Sequence, residues 1–110
     1  AVNQARKQKN QNVIIVRGDE WHKGVLGIVA SRLVEEFNKP AIVISFYNEI
    51  GVGSARSLHS IDLGQIIISA KKEGLLIKGG GHKMAAGFKI SMKMYNHFFK
   101  FIVNILNHIH

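Results

Sequence analysis

Two short runs of β-branched apolar residues, Val13-Ile14-Ile15-Val16 and Ala41 to Phe46, bracket a stretch with helical period. This alternation constrains the fold more than any other feature of the chain. Each run is short and, apart from Ser45, apolar, which marks a buried strand. Between them, Val25, Ile28, Val29, Leu33 and Phe37 recur at three- and four-residue steps and predict an amphipathic helix over Lys23 to Phe37. Asn38-Lys39-Pro40 ends it, because the residue before a proline avoids the helical region. Tyr47 to Gly51 reads as a turn and Val52 to Ser57 as a further strand. Asp62 is placed to cap a helix from Leu63 to about Glu73, with Gly74 as its stop. Leu75-Leu76-Ile77 fits a short strand or a packed connector. Gly79-Gly80-Gly81-His82 is expected to be a turn or loop, since three glycines hold a regular element poorly. Met84 to Ile90 predicts a strand, and Ser91 the cap of a last helix reaching about Ile109. Asn96, Lys100, Asn104 and His108 form its polar stripe. Strands alternating with about three helices give an α/β sandwich.

At 110 residues and 46% hydrophobic, the chain suits one domain with a real core. Its single proline and 20% charged residues argue against a disordered tail. The absence of cysteine removes disulfide frameworks, thiolate zinc sites and thiol nucleophiles. No apolar run approaches the roughly 20 residues that span a bilayer, and no membrane partner is expected. Ala1 to Asn12 is polar and basic without an apolar secretory core, so a cytoplasmic location is the default expectation. Residues 1–12 read as a linker remnant and 13–110 as the domain, the whole cut from a longer protein.

Fifteen Lys and Arg against seven Asp and Glu give a net charge of +8. The last acid is Glu73, and Lys78, Lys83, Lys89, Lys93 and Lys100 follow it unopposed. A one-signed surface attracts polyanions, although lysines also simply solvate surfaces.

Three segments place glycines beside polar side chains. In Gly79-Gly80-Gly81-His82, backbone amides can approach a phosphate without a Cβ in the way, and the imidazole adds a donor. The Gly-Lys-Ser/Thr ending of a Walker loop is absent, and a tight bend with a surface His is the plain alternative. Gly53-Ser54-Ala55-Arg56-Ser57 ends a strand with two hydroxyls and a guanidinium that can fork onto phosphate oxygens, or with a solvated arginine at an edge. Trp21-His22-Lys23-Gly24 precedes the first helix, whose N-terminal amides attract anions. His22 or Lys23 can reinforce that, while Trp21 fits a core plug better than a base-stacking platform.

Two-metal phosphodiester hydrolysis needs carboxylates and histidines converging on ions roughly 3.5–4 Å apart. Asp19, Glu20 and Asp62 are scattered, and His22, His59 and His82 lack zinc-like spacing. No nucleophile and base are paired. The chain reads as a binder, with no metal ligands of its own.

The three segments, in this order, resemble the domain that follows the DHH phosphoesterase domain in RecJ-type exonucleases. The resemblance is carried by WHKGVLGIVASRL (Trp21 to Leu33), KPAIVIS, GVGSARS and IDLGQIIISAKKEGLLIKGGGHKMAAGF (Ile61 to Phe88). GGGH and AAGF mark the wider superfamily, and the WH-x-GV-x-GIVASRL run is the more specific part.

The resemblance implies a mixed β-sheet packed with helices, facing a DHH domain of the same polypeptide across a cleft. It implies single-stranded DNA as partner, 5′-to-3′ digestion by the parent enzyme, and Mn or Mg held by the DHH half, with no cofactor bound here. The phosphate- and strand-binding residues it implies are His22, Lys23, Ser54, Arg56, Ser57, Gly80, Gly81 and His82, with His82 also assisting catalysis in the other half. The chain alone is expected to be inactive. Two departures stand out: Lys23 where the family has Pro, and Ala55 where it has Gly. The alternatives are the substrate domain of a DHH-family oligoribonuclease or cyclic-dinucleotide phosphodiesterase, and a binding module without catalysis.

Overall fold

The computed structural model describes Gln4 and residues 11–108. The expected linker, apart from Gln4, Gln11 and Asn12, lies outside the described residues, as do the end of the last helix at Ile109 and the final His110. Five strands form one sheet in the order β1-β2-β3-β5-β4: β1 (Ile14–Asp19), β2 (Ala41–Tyr47), β3 (Ile50–Arg56), β4 (Lys78–Gly81) and β5 (Ala85–Ser91). The pair β1–β2 is parallel and the rest are antiparallel, so the sheet is mixed. The helices are α1 (Lys23–Phe37), α2 (Leu63–Lys72) and α3 (Tyr95–Asn107), the last entered through a 3-10 turn at Met92–Met94. No helix among the described residues is long and apolar enough to cross a membrane.

Period-two alternation divides the core between the two sheet faces. Val13 and Ile15 of the first strand region, with Ile42, Ile44, Ala55, Phe88 and Ile90, pack against α2 and α3 through Leu63, Ile67, Phe98 and Ile102. Ile14, Val16, Ala41 and Val43 face the other way, onto Leu26, Ala30 and Leu33 of α1. A parallel β1–β2 pair needs a crossover, and α1 supplies it. Asn38 takes the left-handed conformation that ends α1, donating its N–H to the Val34 carbonyl at 2.8 Å. The free edge of β1 is bridged by the Gln4 side chain, whose amide bonds both the N–H and the carbonyl of Arg17. The Arg17 guanidinium lies between two rings, 4.6 Å from the centroids of Phe46 and Tyr95.

The glycine run departs from the expected loop. Lys78 to Gly81 is a strand, paired residue for residue with Lys89 to Ala86. The entropic cost of ordering glycine is outweighed by cross-strand hydrogen bonds and by the close approach of α2. A Cβ on Gly79 would stand 2.9 Å from Cγ2 of Ile67. The turn falls one step later, where His82 N–H donates to the Ala85 carbonyl at 2.7 Å. Leu75 to Ile77 is a packed connector with Leu76 buried. The β2–β3 turn is narrower than expected, because Tyr47 and Ile50 are already paired and only Asn48 and Glu49 turn. Ser91 does not cap the last helix: it is still in β5, opposite Ile50, and its side chain makes no capping bond. Asp62 does cap α2, its carboxylate accepting from Gln65 N–H at 3.2 Å.

Candidate nucleic-acid interface

On the α1 side, that helix lies across β2 and β3 and packs its apolar side chains on Ile14 and Val16 of β1, while β5 and β4 stay open. The open area has a floor of small residues. Ser54 of β3 stands opposite Gly87 of β5, which stands opposite Gly80 of β4. A Cβ on Gly80 would meet nothing within 4 Å, and one on Gly87 would meet only the Gly53 carbonyl at 3.8 Å. Neither glycine has a positive φ. Packing inside the domain therefore does not require glycine at either position, and the flat floor is left for something outside it.

Arg56 stands two residues along β3 from Ser54, on the same face, half-buried against α1. Its Nη1 donates to the Ala55 carbonyl at 2.9 Å, and its Nη2 occupies the space where a Cβ on Gly27 would lie. Gly24, Gly27 and Ser31 make a small-residue stripe down α1 that forms a groove with Ser54 and Arg56, about 570 Å³ in volume. Arg32 and Glu35 close its far end. The groove and the glycine floor meet at Ser54. Sequence reasoning misses Gly24, Gly27 and Ser31 as site residues. Their three- and four-residue spacing within GVLGIVAS is the signal that could have found them.

His22 caps α1. Its Nδ1 accepts the Gly24 N–H at 3.0 Å, which leaves Nε2 as the outward nitrogen. Lys23 opens the helix, exposed, with Nζ 6.0 Å from the Tyr47 ring centroid. Trp21 is a core plug, packed on the α1 cluster and over Gly18, and its carbonyl accepts from Ser45 Oγ and Tyr47 Oη. Ala55 is buried in ordinary β conformation, so its methyl is no obstacle there.

Ser57 is turned away from the face. It is buried, and its hydroxyl donates to the Ile61 carbonyl at 3.2 Å. Strand alternation explains this, since Ser54 and Arg56 share one face while Ala55 and Ser57 share the other. Gly81 is exposed with φ +151°, and its Cβ would come 2.5 Å from the Ala86 backbone. His82 is exposed at the end of the row that runs from Arg56 through Ala85. Its backbone is pinned by the start of α2, where Leu63 N–H donates to the Lys83 carbonyl and a Cβ on Gly64 would touch the His82 carbonyl. With strands about 4.8 Å apart, the Arg56 and His82 backbones stand about 10 Å apart. Ser54, Arg56, Gly80 and His82 are thus brought to one face, with His22 and Lys23 at the α1 end.

Among the described residues no three His, Asp or Glu side chains are grouped to hold a metal ion. A separate groove of about 700 Å³ runs along α3, lined by Leu75, Phe99, Phe101 and Lys100 among others. It touches none of the residues above.

The DHHA1 domain family model matches residues 10–108. The single-stranded-DNA-specific exonuclease RecJ of Bacillus subtilis is 41% identical over 83 residues, 74% of this chain and 10% of that protein. The crystal structure of RecJ from Thermus thermophilus in complex with Mg2+ superposes with a TM-score of 0.80 at 32% identity, covering 99% of this chain and 18% of that one. A crystal structure of exonuclease RecJ bound to manganese gives 0.81 at 30% identity, covering 99% and 28%. The chain therefore spans a small part of the length of the relatives it matches.

Proposed function

The chain belongs to the DHHA1 domain family, and on that premise we propose that it is the strand-gripping domain of a RecJ-like 5′-to-3′ exonuclease of single-stranded DNA. Residues 13–110 form the binding domain, and residues 1–12 lead back toward a DHH domain of the same polypeptide. The catalytic Mn or Mg ions are assigned to that other half, in keeping with the RecJ crystal structures that carry Mg2+ or manganese. The observation that carries the reading is the open row Ser54–Gly87–Gly80, with Arg56 two residues along β3 from Ser54 on the same face. It is a floor of one serine and two glycines that the domain itself leaves unfilled, beside a guanidinium held against a helix.

Each residue that reaches the open face has a role in this reading. Arg56 is a permanent cation whose fork suits a terminal phosphate, and Ser54 adds a hydroxyl beside it. The positive end of the α1 dipole, with His22 Nε2 and Lys23, favours the same anion. Gly80 and Gly81 let the sugar-phosphate chain approach the sheet backbone. His82 offers its ring where the two halves of the enzyme meet and assists there as a donor. Ser57, engaged inside, takes no part. The chain alone has no hydrolytic activity.

Arg56→Ala tests the reading in the full-length protein. It should weaken binding of 5′-phosphorylated strands by about 1–3 kcal/mol, the scale of a lost charged hydrogen-bond partner, and affect 5′-hydroxyl strands much less. His82→Ala should lower kcat with a smaller change in binding. Equal losses on both strands make Arg56 a general backbone contact. Unchanged turnover in His82→Ala removes that residue from the chemistry.

A further inference from the structure

Two residues along the strands from the Ser54–Gly87–Gly80 row lies another, in which Val52 stands opposite Lys89 and Lys89 opposite Lys78. Alternation puts both lysines on the open face, and both are exposed. Lys71, near the end of α2, lines the same depression with them. Like charges directly opposite on adjacent strands repel and weaken the ladder. No carboxylate pairs with Lys71, Lys78 or Lys89 among the described residues, and no acidic residue follows Glu73 in the sequence. The domain thus keeps a repulsive arrangement without an internal counter-charge. Compensation is left to an anion from outside the domain.

We propose that Lys71, Lys78 and Lys89 form a second phosphate subsite, which holds the backbone of a single strand a few nucleotides from the phosphate gripped by Arg56. This rests on the reading that the open face takes a single strand. Four residues separate Lys89 from Ala85, the partner of Arg56, which is about 13 Å along β5. Between the two charged ends lies only the floor of Ser54, Gly87 and Gly80. Charges set along a lane with a flat, uncharged interval match a repeating anion better than a folded acidic surface. Lysine suits the task, as a compact charge on a flexible stem that follows a mobile backbone and reads no base.

The test compares the chain with Lys71→Gln/Lys78→Gln/Lys89→Gln and with Arg56→Ala, by anisotropy on a long 5′-phosphorylated oligothymidylate and on the 5′-phosphorylated dinucleotide. The lysine variant should bind the long strand on the order of tenfold more weakly at low salt, with the slope of log K against log salt smaller by about 2. Binding of the dinucleotide should not change. Lys89→Gln alone should keep or raise Tm, because it removes a repulsion, and this separates lost binding from lost folding. If the lysine variant keeps the wild-type slope while Arg56→Ala weakens binding, the subsite is wrong and the gripping role stands. If wild type binds neither ligand, both fall. An unchanged slope together with a lower Tm of the variant in the full-length protein assigns the lysines to an acidic protein face and overturns the proposal.

Discussion

Gly27 and Arg56 share one space: a Cβ on Gly27 would stand 2.4 Å from Nη2 of Arg56. The helix gives up a side chain there so that the guanidinium can lie against its backbone. Glycine inside a helix costs about 1 kcal/mol relative to alanine, so the position favours the arginine over the stability of α1.

Gly27→Ala should therefore separate stability from binding. The methyl displaces only the mobile end of Arg56, and the helix gains up to about 1 kcal/mol. Thermal melts should show an unchanged or higher Tm, while affinity for 5′-phosphorylated single strands falls toward that of Arg56→Ala. A variant that is more stable and binds as well as wild type would show that the seat of Arg56 on α1 has no part in recognition.

The three glycines of β4 should respond differently to alanine. Gly79→Ala meets Ile67 and Leu76 and should cost about 1–3 kcal/mol by overpacking. Gly81→Ala combines φ +151° with backbone contact at 2.5 Å and should cost about 2–3 kcal/mol. Gly80→Ala points into open space and should stay within about 0.5 kcal/mol of wild type, yet weaken strand binding. Denaturant melts rank the three, and binding is then read for Gly80→Ala alone. A Gly80→Ala protein with full affinity would mean that nothing approaches the floor closely.

Much of this architecture is readable from local pattern. The bounds of α1 follow from its apolar spacing, the Asn38-Lys39-Pro40 stop and the polar residues ahead of Lys23, all of which act within a few residues. The glycine strand is not readable in that way. Propensity disfavours it, and what decides it is pairing with Ala85–Ser91 and the approach of Ile67, both distant in sequence. Motif matching misassigns Ser57 although the signal is present, because alternation from Ser54 and Arg56 already puts it on the opposite face. The meeting of Lys78 with Lys89 depends on the β4–β5 register, which periodicity alone does not supply.

Tyr95 gives a prediction in alkaline solution. Its ring is buried edge-on to Phe46 at 5.9 Å. Burial raises its hydroxyl above the usual tyrosine value, and the Arg17 guanidinium partly offsets this. The unfolded chain then releases the proton before the folded one does. Stability from this group is complete below about pH 10 and is lost as pH rises above it. Tm measured across that window should fall more steeply for wild type than for Tyr95→Phe. Parallel curves would mean that the hydroxyl ionises alike in both states.

The location of the bound strand tests the account most directly. Amide resonances of the isotopically labelled chain, followed while a 5′-phosphorylated oligothymidylate is added, report it residue by residue. Shifts should concentrate at Gly24, Gly27, Ser54, Arg56, Gly80 and Gly87, and should reverse when salt is raised. Shifts confined to α3, around Phe99, Lys100 and Asn104, with the β3–β5–β4 face unperturbed, would contradict it.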